Sequence, residues 1–193
     1  MLRVSMKAVV RADMRISIMI AFIWGVMFPL KANLQGLLNV DTIGIIMLVS
    51  TLSMEGLKIL TERTTFKTST LVVIVYDLVF LAIIAISNIV CDDKTFAFVL
   101  LIAMIPYAVT VRNAGNKFKV MLGSTYPARI AEKVHLRLSL IENRAMLVAT
   151  GLAASLSSMG MQPRQIIWVF VAGSILQSAS SFHSYVVNYK HLK

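Results

Sequence analysis

Four ionisable residues, Lys31, Glu55, Asp77 and His183, lie inside long apolar segments of this sequence. A charge in hydrocarbon costs at least about 2.5 kcal/mol unless it is paired or faces water, so such residues often bind a substrate, an ion or a proton. Asp77, in "VVIVYDLVFLAI", is the strongest candidate because no basic residue lies three or four positions from it. The alternative role is a hydrogen bond between helices, with Tyr107 or an asparagine.

The other three residues also have structural alternatives to a substrate or coupling role. Glu55 lies three residues before Lys58, which is the spacing of an ion pair on one helix face. Lys31, just after Pro29, could extend its ammonium group to the outer membrane interface. His183, in "SASSFHSYVV", could form an ordinary hydrogen bond between helices, although it would titrate near neutral pH if water reached it.

Catalytic and metal-binding patterns are missing from the sequence. The single cysteine, Cys91, has no histidine on its N-terminal side, and there is no Gly-x-Ser-x-Gly, paired aspartate or His-x-x-x-His arrangement. One cysteine cannot form an intramolecular disulfide. We therefore expect no enzymatic activity, no metal and no cofactor.

The composition predicts the elements that position these residues. The chain has 193 residues, of which 58% are hydrophobic and 15% charged, whereas about a quarter of the residues of a soluble domain are charged. We predict an all-α integral membrane protein with one domain, residues 1–193, and six transmembrane helices of about 20 residues, the length that crosses the bilayer. The predicted spans are 16–36, 42–60, 69–90, 95–112, 145–161 and 165–187.

The basic residues, which give the chain a net charge of +10, are distributed as six spans would require. With six spans, all Lys and Arg residues except Lys31, Lys94 and Arg164 lie on one face of the membrane. This positive-inside bias predicts an inner-membrane protein with both termini, including segment 1–15, in the cytoplasm. The basic charge is thus assigned to membrane orientation, and no nucleic-acid partner is expected.

One long cytoplasmic connector is predicted, at about residues 113–144. It contains a helix-like run from Ala128 to Asn143, and Pro127 stands at its start. Basic and apolar residues alternate along this run with helical spacing. The run is either an amphipathic helix at the inner membrane surface or the cytoplasmic extension of helices four and five.

The loop between helices two and three, "GLKILTERTTFKTST", resembles the loop signature of the major facilitator superfamily. That signature reads Gly, three residues, Asp-Arg, any residue, Gly, any residue and two basic residues. When Glu62 and Arg63 are set on the acid and the arginine, Lys67 falls on one of the two basic positions. Both glycines and the other basic residue of the signature are replaced here. The resemblance implies that Glu62, Arg63 and Lys67 form part of a cytoplasmic gate.

The wider organisation is similar to the N-terminal six-helix half of such a transporter. It has a cytoplasmic N-terminus, a first helix broken by Pro29, short outer loops and a basic loop between helices four and five. The resemblance implies a half-size transporter that moves a small solute by alternating access between two bundles. The second bundle would come from a homodimer or from another six-helix subunit, and Asp77 would be the coupling carboxylate.

Two other functions remain open. A substrate-binding membrane subunit of a multi-component importer also has six helices, but such subunits carry an Ala-x-x-x-Ala docking face on helix one. The run "IMIAFIWGVMF" places bulky residues at that spacing, which argues against this class. The third possibility is a membrane immunity or assembly protein that acts through helix packing alone.

Overall fold

The structure, a computed structural model, consists of helices throughout the residues that it describes, 6–61 and 64–188. This confirms the all-helical fold class. The six helices follow one another with short connections. They are α1 (Met6–Gln35), α2 (Val40–Thr61), α3 (Phe66–Val90), α4 (Asp93–Thr125), α5 (Ala128–Ser158) and α6 (Pro163–Asn188).

Within the described residues, three of these helices are long and apolar enough to cross a membrane. They are α3, α4 and the part of α6 from Pro163 to Val187. This agrees with a membrane protein at the level of helix length and composition. The six spans, the inner membrane and the cytoplasmic position of both termini stay predictions.

The charged stretch between helices four and five is helical on both sides of a tight connection. Helix α4 continues to Thr125 and α5 begins at Ala128, so only Tyr126 and Pro127 separate them. The predicted helix start after Pro127 is confirmed. Of the two alternatives for this stretch, the structure has the extension of helices four and five rather than a separate surface helix.

Helix α1 is continuous from Met6 to Gln35, so the expected break at Pro29 is wrong. A proline inside a helix costs about 3 kcal/mol through its missing N–H and its ring. Tertiary packing supplies most of the stability of a helix in a folded protein. Helix α1, which packs mainly on α5, continues through this position.

The bundle is built on two helix pairs that meet at α6. Helix α1 packs mainly on α5, α3 packs mainly on α4, and α6 contacts both α1 and α3. Helix α2 packs against α4 at the edge, with Ile45, Met47, Leu48 and Leu52 exposed. Exposed apolar side chains of this kind suit a surface that faces lipid rather than water.

Successive helices run in opposite directions, as contacts at the two ends show. At one end Arg15 donates to the Ser184 hydroxyl at 3.1 Å, and the Asn113 amide donates to the Ser69 hydroxyl at 2.9 Å. The basic starts of α1, α3 and α5 therefore lie together at one end of the bundle, with the basic end of α4. We call this the basic end.

Arg164 fastens the opposite end of the bundle. Its guanidinium donates to the carbonyls of Asn88 at 3.0 Å and Cys91 at 2.7 Å, and it forms an ion pair with Asp93 at 2.8 Å. It also lies 5.5 Å from the centre of the Phe96 ring. A cation suits the C-terminal carbonyls of α3, which have no partner within their own helix. One side chain thus joins α3, α4 and α6.

Replacing Arg164 by alanine is expected to destabilise the bundle by about 2 kcal/mol, the typical value for hydrogen bonds to a charged group. Lysine should restore only part of this stability because it lacks the planar fork that reaches two carbonyls. The measurement is the midpoint of heat-induced loss of the monodisperse peak in size-exclusion chromatography. Lys94→Ala, at an exposed position of the same end, is the control. Equal midpoints for Arg164→Ala and Lys94→Ala would contradict the fastening role.

Candidate functional site

Asp77 lies in the centre of the bundle and is 0% exposed. Its Oδ2 accepts a hydrogen bond of 2.5 Å from the Ser178 hydroxyl on α6. Its Oδ1 has no hydrogen-bond partner among the described residues. The carboxyl group thus has the interhelical hydrogen bond considered from the sequence, but its partner is Ser178 rather than Tyr107 or an asparagine.

An aromatic cluster surrounds Tyr107 beside this carboxyl group. The Tyr107 ring stacks on Phe80, with centroids 4.9 Å apart, and lies 6.0 Å from Trp24 and 6.5 Å from Tyr76. The Tyr107 hydroxyl is buried and has no hydrogen-bond partner within the described part of the chain. These rings exclude water and lower the local dielectric, which makes a charge on Asp77 more costly.

Helix α6 presents one buried face of serines. Ser174, Ser178, Ser181 and Ser184 recur every three or four residues and are all buried. His183 lies on a different face of α6 and is exposed. The predicted interhelical hydrogen bond of His183 is wrong, because the helical repeat turns this residue away when the serines face inward.

Two other predicted site residues that the structure describes, Glu55 and Lys67, lie away from Asp77. Glu55 is exposed on α2, and Lys67 is partly buried in the first turn of α3. Glu62 and Arg63 lie outside the described residues, as does the side chain of Lys31. The predicted gate is thus described only at Lys67.

A second polar site, which the sequence did not indicate, is a cavity of about 530 Å³ between α1, α3, α4 and α5. Residues from four helices form it, so no local motif could have signalled it. Its ionisable lining residues come from three of these helices: Asp13 from α1, Arg112 and Lys119 from α4, and His135 and Glu142 from α5.

The cavity lies where the apolar part of the bundle meets the basic end. Ile20, Trp24 and Val73 line its apolar part, whereas Arg112 and Lys119 are exposed. The cavity therefore reaches the surface at the basic end and extends inward toward the centre of the bundle.

The chain matches no protein-family model, no curated protein and no solved structure. The relationship to the major facilitator superfamily therefore stays a prediction from the loop and the helix order. Function has to be argued from the two polar sites. In the described parts of the chain, 6–61 and 64–188, no three His, Cys, Asp or Glu side chains are grouped so that they could hold a metal ion.

Asn113 connects the cavity to the loop before α3. Its amide donates to the Ser69 hydroxyl at 2.9 Å and to the Thr64 hydroxyl at 3.3 Å. Thr65 caps α3 by accepting from the Thr68 backbone N–H at 3.2 Å. Asn113 directly follows Arg112, which lines the cavity. The residues next to the predicted gate are therefore hydrogen-bonded to the helix that lines the cavity.

Asp13 is the most perturbed carboxyl group of the cavity. Burial raises the pKa of Asp13 to about 8, with a smaller contribution from the negative charge of Glu142. The cavity residues that face Asp13 are Glu142 and His135 from α5 and Arg112 and Lys119 from α4. Between pH 3.8 and about pH 8, the folded protein therefore holds a proton on Asp13 that the unfolded chain has released.

Because Asp13 binds this proton only in the folded state, the free energy of unfolding should depend on pH. Because the folded state binds more protons than the unfolded state between the ordinary pKa of 3.8 and about 8, the contribution of Asp13 falls as pH rises through this range. Asp13→Asn removes that contribution. We expect the thermal midpoint of wild type to fall relative to that of Asp13→Asn as the pH is raised from 5 to 8, so that the difference between the two midpoints grows in favour of the variant. Glu142→Gln, which removes the smaller cause, should keep most of the slope, and parallel profiles for wild type and Asp13→Asn would contradict the prediction.

Proposed function

We propose that this protein is a half-size membrane transporter that moves a small solute by alternating access after pairing with a second six-helix bundle. The observation that carries the proposal is the cavity of about 530 Å³ at the basic end. Its volume lies within the range of small-molecule sites, about 300–1,000 Å³. Apolar inner walls and a few ionisable groups suit a solute that enters from water.

The position of Asp77 supports a coupling role. Val73 lines the cavity, and Asp77 follows it by one turn of α3, about 6 Å deeper in the bundle. Trp24 lines the same cavity and packs on Tyr107 beside Asp77. A proton or ion at Asp77 and a solute in the cavity would therefore both lie next to the aromatic cluster that contains Trp24 and Tyr107.

The predicted gate is consistent with this arrangement. Glu62 and Arg63 directly precede Thr64, which Asn113 holds against α4. Opening at the basic end would separate the loop from α4 and break these hydrogen bonds. In the proposal, the loop closes the cavity when a solute is bound.

A single bundle provides only one wall of an alternating-access site, so a partner is part of the proposal. If both termini lie on one face of the membrane, two copies can pair in parallel about an axis along the membrane normal. A separate six-helix subunit could fill the same place. In both cases the lipid bilayer covers the remaining apolar surface.

Helix α1 carries the evidence against the importer-subunit alternative. Besides the bulky residues of the run "IMIAFIWGVMF", α1 carries two small residues at the docking spacing: Ala21 and Gly25 lie four apart and are both buried. The Gly25 carbonyl accepts a hydrogen bond of 2.9 Å from Thr150 on α5. Helix α5 covers this small-residue face of α1, so the face is not free to dock another subunit. This favours the half-transporter over the importer subunit.

The test combines assembly with transport. The native mass of the protein in lipid nanodiscs should give a dimer or a stoichiometric six-helix partner. Proteoliposomes incubated with a mixture of small metabolites should enrich a subset of them, measured by mass spectrometry of the vesicle contents. Asn113→Ala should lower the enrichment, whereas the exposed Glu132→Gln should not. A monomer without a partner and without enrichment would refute the proposal.

A further inference from the structure

The charges of the cavity are separated onto opposite walls. The basic residues Arg112 and Lys119 both belong to α4, whereas the acidic residues Asp13 and Glu142 belong to α1 and α5. Helix α5 packs mainly on α1, and α4 packs mainly on α3. The two signs are therefore carried by different helix pairs, with the cavity between them.

These four side chains do not neutralise one another. None of them forms an ion pair within 4.0 Å with another described residue, whereas Arg164 and Asp93 do so at the opposite end of the bundle. Asp13 is protonated near neutral pH, so Glu142 on one side and Arg112 and Lys119 on the other carry the charges that create a field across the cavity. A ligand with both signs of charge is stabilised in such a field, whereas a ligand with one sign gains at one wall and loses at the other.

We propose that the cavity binds a zwitterionic group, consisting of an amine and a phosphate or carboxylate. The ammonium group forms an ion pair with the Glu142 carboxylate and donates a hydrogen bond to the carbonyl oxygen of the Asp13 carboxyl group. The anionic group binds Arg112, whose guanidinium can donate two parallel hydrogen bonds. Trp24, Ile20 and Met146 accommodate the carbon skeleton. This inference rests on the proposed function and defines its substrate class.

Two sources of this chemistry fit the position of the cavity at the junction of the apolar and charged parts of the bundle. One is a free zwitterionic solute, such as an amino acid. The other is the headgroup of a phospholipid with an ammonium group, which would enter sideways from the membrane. Both present the same pair of charges, and the experiment separates them.

Trp24 provides a direct readout of binding. The chain has two tryptophans, Trp24 in the cavity and Trp168 exposed on α6. In a Trp168→Phe background, Trp24 fluorescence is titrated with glycine, glycerophosphoethanolamine, ethanolamine and glycerophosphoglycerol. We expect a change with at least one of the first two, which carry both charges, at concentrations about ten-fold lower than with either single-charge compound. Glu142→Gln and Arg112→Gln should each weaken that response, whereas the exposed Glu132→Gln and Arg129→Gln should not.

The outcomes separate the possible ligands. Binding of glycine indicates a free solute, whereas binding of glycerophosphoethanolamine, with phosphatidylethanolamine retained in native mass spectra, indicates the lipid. Equal or tighter binding of ethanolamine or glycerophosphoglycerol, or no response to any compound, would refute the inference. The titration is done in detergent without transport, so binding without vesicle uptake would refute only the transporter, and uptake of singly charged solutes would refute only the zwitterion site.

Discussion

Replacing Gly25 by valine is expected to separate α1 from α5 and to lower the thermal midpoint of the protein by several degrees. A Cβ atom at Gly25 would lie 2.5 Å from the Met146 carbonyl oxygen and 2.7 Å from the Ala149 Cβ. The first contact is with backbone, so a side-chain rotation cannot relieve it. Overpacking of this kind costs about 1–3 kcal/mol or more, and the hydrogen bond from Thr150 to the Gly25 carbonyl would be lost as well.

The effect should depend on the position rather than on the loss of glycine. Gly44→Val, on α2, is the matched control because a Cβ atom there meets nothing within 4 Å. Both variants are compared with wild type by the fraction of monodisperse protein that remains after heating. Gly25→Ala should be intermediate, because its smaller side chain makes only the Cβ clash. If Gly25→Val were as stable as Gly44→Val, α1 and α5 would not pack this closely.

Asp77→Asn is expected to leave the fold intact and to abolish uphill transport. The amide has nearly the same shape as the carboxyl group, and its oxygen can accept the hydrogen bond from Ser178. An amide cannot bind and release a proton, however, so accumulation should fall to the level of empty vesicles. Exchange of solute across equal concentrations, which needs no coupling ion, should persist.

Two further variants separate charge from packing at this position. Asp77→Leu removes both the charge and the acceptor and leaves the Ser178 hydroxyl buried without its carboxylate partner, which costs about 1–3 kcal/mol. Ser178→Ala keeps the carboxyl group but removes its donor. If Asp77 couples transport, Asp77→Asn should lose the accumulation of solute while its stability stays at the wild-type level. Ser178→Ala should keep part of the accumulation. Normal accumulation by Asp77→Asn would show that Asp77 acts only in helix packing.

The structure places Asp77 in the centre of the bundle and His183 at its surface. Asp77 could be singled out because a carboxylate inside an apolar helix is costly wherever the helix packs. Its partner could not be named, because Ser178 lies 101 residues away. The orientation of His183 could not be predicted for the same reason. The sequence places this residue on a helix rich in small residues, but only the packing of α6 decides which face turns inward.

The sequence by itself determined the all-helical class, the central part of each helix and the start of α5 after Pro127. Helices α4 and α5 are longer than predicted and include almost all of the predicted connector at about residues 113–144. These features depend on local composition and on the conformational limits of proline, which act within one or two turns. Only the tertiary structure decided that Gly25 meets Met146 and that Asp13, Arg112 and Glu142 line one cavity. Such contacts join residues on separate helices, as Thr150 and Gly25 do across 125 positions. Helix periodicity fixes which residues share a face, but packing decides which faces meet.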